Sequence, residues 1–123
     1  MSKIVEAINV MIANNEKIDK AFKGEYDAEV FFQYAHKHKW SIIKSDRDEY
    51  YLHYYPVAMP LEDLASMPSE MWAEFSQMVS YNSTTLGTKE SKDSLRELYV
   101  IAREKVYGMD DVLDDIIKSD STW

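Results

Sequence analysis

Val30-Phe31-Phe32-Gln33-Tyr34, Lys39-Trp40-Ser41-Ile42-Ile43-Lys44 and Tyr50-Tyr51-Leu52-His53-Tyr54-Tyr55 follow one another with only short polar breaks. Aromatic and β-branched residues dominate all three runs, and the breaks at His36-Lys37 and Ser45-Asp46-Arg47-Asp48 have hairpin length. The runs read as strands of a three-stranded antiparallel meander over residues 28–56, closed by Pro56, which cannot donate to a ladder. Four-residue turns at 35–38 and 45–48 would set Tyr34 opposite Lys39 and Lys44 opposite Glu49. Side chains alternate along a strand, so one sheet face would then hold Val30, Phe32, Tyr34, Ser41, Ile43, Tyr50, Leu52 and Tyr54. The other would hold Phe31, Gln33, Trp40, Ile42, Tyr51, His53 and Tyr55. A slip of one residue would exchange these memberships.

Upstream, Ile4, Val5, Ile8, Met11, Ile12, Ile18 and Phe22 recur at three- and four-residue steps, which predicts an amphipathic helix over residues 3–23 within an N-terminal segment 1–24. Ser2 suits the N-cap, and Gly24 suits the left-handed residue that ends a helix. Downstream, residues 57–87 form a connector with a short apolar piece, Leu61 to Met67. Within it, Met71, Trp72, Phe75, Met78 and Val79 favour a helix over 70–81 more than a strand. Thr88 caps a helix whose inner stripe is Leu95, Leu98, Tyr99, Ala102 and Val106, and Gly108 breaks it. Asp110 and Asp111 open a last helix with Val112, Leu113, Ile116 and Ile117 inside, so that 88–118 holds two helices and 119–123 a tail. The expected fold is a single α+β domain: an N-terminal helix packed on a three-stranded antiparallel β-meander, followed by a mainly helical C-terminal half.

With 46% hydrophobic and 29% charged residues in 123, the chain has the composition of one folded domain. The 14 basic and 22 acidic residues give a net charge of −8, of which residues 61–123 carry −7 (6 basic against 13 acidic). Such a charge repels phosphate backbones and attracts cationic proteins, which argues against nucleic acid as a partner. No apolar run has membrane-span length, and the opening Met1 to Glu6 lacks the shape of a signal peptide, so a soluble cytoplasmic protein without a membrane partner is expected. The absence of cysteine removes disulfides and thiolate sites and agrees with a reducing compartment.

The second sheet face is too apolar for a solvated surface and too rich in polar-tipped rings for an ordinary interior. Either the C-terminal helices cover it, making three layers, or part of it binds a partner. Asp110, Asp111, Asp114 and Asp115 have helical spacing and lack the ligand pattern of a calcium loop, so they form a solvated face or an acidic docking surface. The candidate partner-binding residues are therefore Phe31, Trp40, Tyr51, His53 and Tyr55 on the sheet and Asp111, Asp114 and Asp115 on the last helix. Nucleotide loops and nucleophile elbows are absent, and the carboxylate pairs lie in polar loops, so no catalytic residue, cofactor or metal is assigned. The chain reads as a non-catalytic protein-interaction domain with a protein partner, basic by charge. The alternatives are an inhibitor or immunity-type protein that neutralises a basic toxin or nuclease, and a small enzyme or metal-binding domain built on His38 and His53. A symmetric contact through the aromatic face would make a homodimer.

Overall fold

The computed structural model describes residues 2–24, 28–67, 71 and 78–120. In chain order these form α1 (Lys3–Ala13), a 3-10 turn (Asn15–Lys17), β1 (Ile18–Lys23), β2 (Glu29–Tyr34), β3 (His38–Lys44), β4 (Tyr50–Tyr54) and α2 (Leu61–Ala65). Then come β5 (Val79–Asn82), α3 (Ser83–Leu86), α4 (Lys89–Val106) and α5 (Met109–Asp120). The architecture is α+β, with an antiparallel five-stranded sheet in the order β1-β2-β3-β4-β5 among the described residues. The expected meander is its centre, and one strand flanks it on each side.

The first flanking strand replaces the second half of the expected N-terminal helix. Ser2 caps α1 as expected, its Oγ accepting from the Val5 N–H at 3.4 Å. The helix ends at Ala13 rather than residue 23 because two asparagines follow it. Asn15 donates through Nδ2 to the Ile12 carbonyl at 3.0 Å, satisfying an acceptor that a continued helix would otherwise use, and the Val10 carbonyl accepts both the backbone N–H and Nδ2 of Asn14. Ile18 to Lys23 then pairs with β2 through a bulge between Ile18 and Lys20. Gly24 does not cap a helix: a Cβ there would lie 2.9 Å from Cε2 of Phe31, so glycine permits a close approach of the chain to that ring. The second flanking strand, β5, takes Val79 to Tyr81 from the segment expected as helix over 70–81. Residues 70 and 72–77 of that segment lie outside the described residues. Of the expected tail, Ser119 and Asp120 extend α5, and residues 121–123 lie outside the described residues.

The first hairpin is one residue shorter, and the second one residue longer between its last ladder pair, than four-residue turns would make them. Tyr34 pairs with His38 across a loop in which Ala35 and His36 have φ of 55° and 62°, the left-handed backbone that a primed hairpin turn requires. Lys44 pairs with Tyr50, the Ser45 N–H bonds to the Glu49 carbonyl at 2.8 Å, and Asp48 takes φ of 59°. The two slips add to a shift of two residues between β2 and β4, which keeps their faces, while β3 is shifted by one and changes face. Val30, Phe32 and Tyr34 therefore share a face with Tyr50, Leu52 and Tyr54 as expected, while Trp40 and Ile42 join them and Ser41 and Ile43 move to the opposite face.

The first face carries the larger core. Phe32, Ile42 and Leu52 are fully buried there against Ile8 and Met11 of α1 and Leu95, Leu98 and Ala102 of α4. The C-terminal helix α4 thus packs on the same side as α1 instead of covering the second face. That face is covered in part by α2, whose Leu61 and Leu64 bury Phe31 and Tyr55 together with Met67. Of the described helices, none is long and apolar enough to cross a membrane.

Candidate functional site

The sheet residues expected to form one binding surface are dispersed by this register. Phe31 and Tyr55 are stacked, with ring centroids 5.8 Å apart, and buried beneath α2. Trp40 lies on the opposite face, half-buried edge-on to Tyr54 at 4.8 Å. Of the five candidates, Tyr51 and His53 remain on the second face with access to water. Nδ1 of His53 is 2.7 Å from Oγ of Ser80 on β5, and burial lowers the imidazole pKa, which favours its neutral form.

The same slip separates His38 from His53. His38 shares the face of Trp40, its Nδ1 3.3 Å from the Tyr54 hydroxyl, so the two imidazoles project from opposite sides of the sheet rather than together. Neither can join the other in one ligand set. Among the described residues, no three of His, Asp and Glu converge as a metal site requires.

The acidic trio is brought together. Gly108, at φ 61°, ends α4, and its carbonyl accepts from the N–H groups of Asp111 and Val112 at 3.1 and 3.2 Å, starting α5. Lys105 of α4 bonds to Asp110 of α5 at 3.2 Å across this junction. Asp110 and Asp111 stand in the first turn, where the helix dipole favours negative charge. At 100° per residue, Asp111, Asp114, Asp115 and Lys118 fall on one side of α5, and Val112, Leu113, Ile116 and Ile117 on the other.

The apolar side is where the structure departs most from the expectation of an inward-facing stripe. Val112, Leu113, Ile116 and Ile117 are 43, 46, 60 and 68% exposed. In α4, Leu95, Leu98, Tyr99 and Ala102 have closely similar helical spacing and are buried. Sequence reasoning identified the acids of α5 and missed the exposure of its aliphatic stripe, because periodicity reports that apolar residues share a side and not what that side meets. The clue available was the charge: the helix beside the stripe is the most acidic stretch of the acidic half.

What α5 offers chemically is a rod with one aliphatic and one anionic side. The chain matches no family model, no curated protein and no solved structure.

Proposed function

We propose that this chain is a non-catalytic protein-interaction domain, with α5 as the docking element and a basic protein as the partner. The observation that carries this is the exposed stripe Val112, Leu113, Ile116 and Ile117 flanked by Asp111, Asp114 and Asp115. An amphipathic helix of this kind fits an apolar groove bordered by lysine and arginine. A second copy of the chain fits less well, since a net charge of −8 on each would place acid beside acid. Relative to the expected aromatic surface, the reading moves from the sheet to α5 and retains its acidic residues.

The energetics shape the expected behaviour. Complete burial of an aliphatic side chain is worth about 1.5–3 kcal/mol, and these four are roughly half-exposed, so each has on the order of 1 kcal/mol left to gain. That sum lies at the low edge of the cost of association, about 4–15 kcal/mol. Charge pairing must contribute, and binding should therefore weaken as salt rises.

The test is affinity capture from a lysate at low and high salt, with Ile116→Ser/Ile117→Ser and Asp111→Asn/Asp114→Asn/Asp115→Asn as comparison baits. Expected is a basic protein held by the unaltered chain, released by salt, and lost with either variant. Recovery of the same proteins by all three baits, or of none by the unaltered chain, overturns the proposal.

A further inference from the structure

In a chain of net charge −8, three cations converge on one cleft. It lies between one flank of α4, the β3–β4 hairpin and the junction with α5, has a volume of about 420 Å³, and includes Lys44, Arg96 and Arg103 in its wall. Arg96 is already paired, to Asp48 at 3.2 Å and Asp93 at 3.4 Å. Lys44 and Arg103 have no carboxylate within ion-pair distance among the described residues, although acids outnumber bases in the chain 22 to 14.

Half of the remaining wall is aromatic, and Val100 and Met109 add apolar surface. Tyr50 and Tyr99, both buried, meet edge-to-face at 5.9 Å, and Tyr107 stands 56% exposed at the mouth. The Arg103 guanidinium lies 5.7 Å from the Tyr99 ring centroid, which leans a cation against the aromatic wall. The helix makes this arrangement directly: Arg96, Tyr99, Arg103 and Tyr107 follow at steps of three, four and four, alternating cation and ring along one side of α4. Glu104 is the one carboxylate in the lining.

We propose that this cleft binds a small aromatic carboxylate. Tyr107 and Val100, both exposed, offer apolar surface to a flat body above the buried rings of Tyr50 and Tyr99, and Arg103 with Lys44 offers donors to a carboxylate head. The volume falls in the range of roughly 300–1,000 Å³ usual for small-ligand sites. A single negative charge is favoured over a polyanion, because the surrounding acidic surface opposes further charge.

The probe is 2-naphthoate, titrated into the full chain and followed by backbone amide NMR, with 2-naphthamide as its uncharged counterpart. Saturable binding with a Kd of ~1 mM or tighter is expected. The largest shifts should fall at Tyr50, Tyr99 and Tyr107. The amide should bind about tenfold more weakly, as should naphthoate to Arg103→Gln, the loss expected when one charge-assisted hydrogen bond is removed. Lys44→Gln should weaken binding in the same direction, and both positions are exposed enough for the fold to survive. Ile116→Ser/Ile117→Ser should leave naphthoate affinity unchanged, which separates this cleft from docking by α5. Absence of saturation, equal affinity for the amide, or shifts centred elsewhere overturns the proposal.

Discussion

If α5 presents its aliphatic stripe to water, removing that stripe must cost less than removing one core leucine. Leu98 on α4 is fully buried, so Leu98→Ala should destabilise by about 2–5 kcal/mol through lost transfer energy and the cavity left behind. For a chain of this size 1 kcal/mol corresponds to about 4 °C, so the midpoint should fall by ~8–20 °C. Ile116 and Ile117 are 60 and 68% exposed, leaving about a third of each side chain to lose. Against about 2 kcal/mol for full burial, that is ~0.7 kcal/mol each, or about 1.5 kcal/mol for the double variant Ile116→Ser/Ile117→Ser. Serine and isoleucine have similar helix propensity, so the backbone term nearly cancels. Urea unfolding followed by far-ultraviolet circular dichroism measures both variants, with the slope checked to confirm that only stability has changed. A double variant that loses as much stability as Leu98→Ala would place the stripe in the core and refute its role as a docking face.

Two further outcomes probe the sheet. Burial holds the Glu29 carboxyl pKa above the usual value, opposed by a hydrogen bond with Ser41. A carboxyl raised on folding favours the folded state while protonated, and that contribution is lost as pH rises from the ordinary glutamate value through the raised one. Glu29→Gln should therefore gain stability relative to the parent between pH 4 and pH 7; an unchanged difference in urea midpoint across that interval contradicts the assignment. Ser83 is buried, accepts from the Tyr50 N–H at 3.0 Å and donates to Glu49 at 2.5 Å. Ser83→Ala should cost about 1–3 kcal/mol by leaving a buried N–H unpaired. It should also raise the Glu49 pKa, which hydrogen bonds from Ser83 and Thr84 hold down, and NMR titration of the Glu49 carboxyl reads that change.

The central strands were legible because aromatic and β-branched runs leave few alternatives. Their register was not, since the first turn places Ala35 and His36 at positive φ without a glycine or asparagine to mark it. One residue of loop length decides whether Trp40 or Ser41 faces the core, and neither residue's chemistry announces the answer. The N-terminal error has a different origin. Ile18 and Phe22 are four apart, a spacing that suits one face of a helix, yet in β1 a bulge after Ile18 sends Phe22 to the face opposite Ile18. The side chains of Asn14 and Asn15 decide between these outcomes by capping the helix.

The candidate site was half legible for a related reason. The acids of α5 could be grouped from spacing alone, but the direction of the stripe beside them depends on how α5 leaves α4. Gly108 supplies that turn at φ 61°, and a Cβ there would meet nothing within 4 Å. Glycine is thus required for its backbone angle and not for room, in contrast to Gly24 beneath Phe31. The break ends the buried stripe of α4 after Ala102 and the partly buried Val106, and restarts the helix with its aliphatic side in water. A chain that needed only a longer core helix would gain by burying Ile116 and Ile117. Exposing them beside a row of aspartates forgoes that gain, and the proposed basic, apolar partner would satisfy both sides of α5 together.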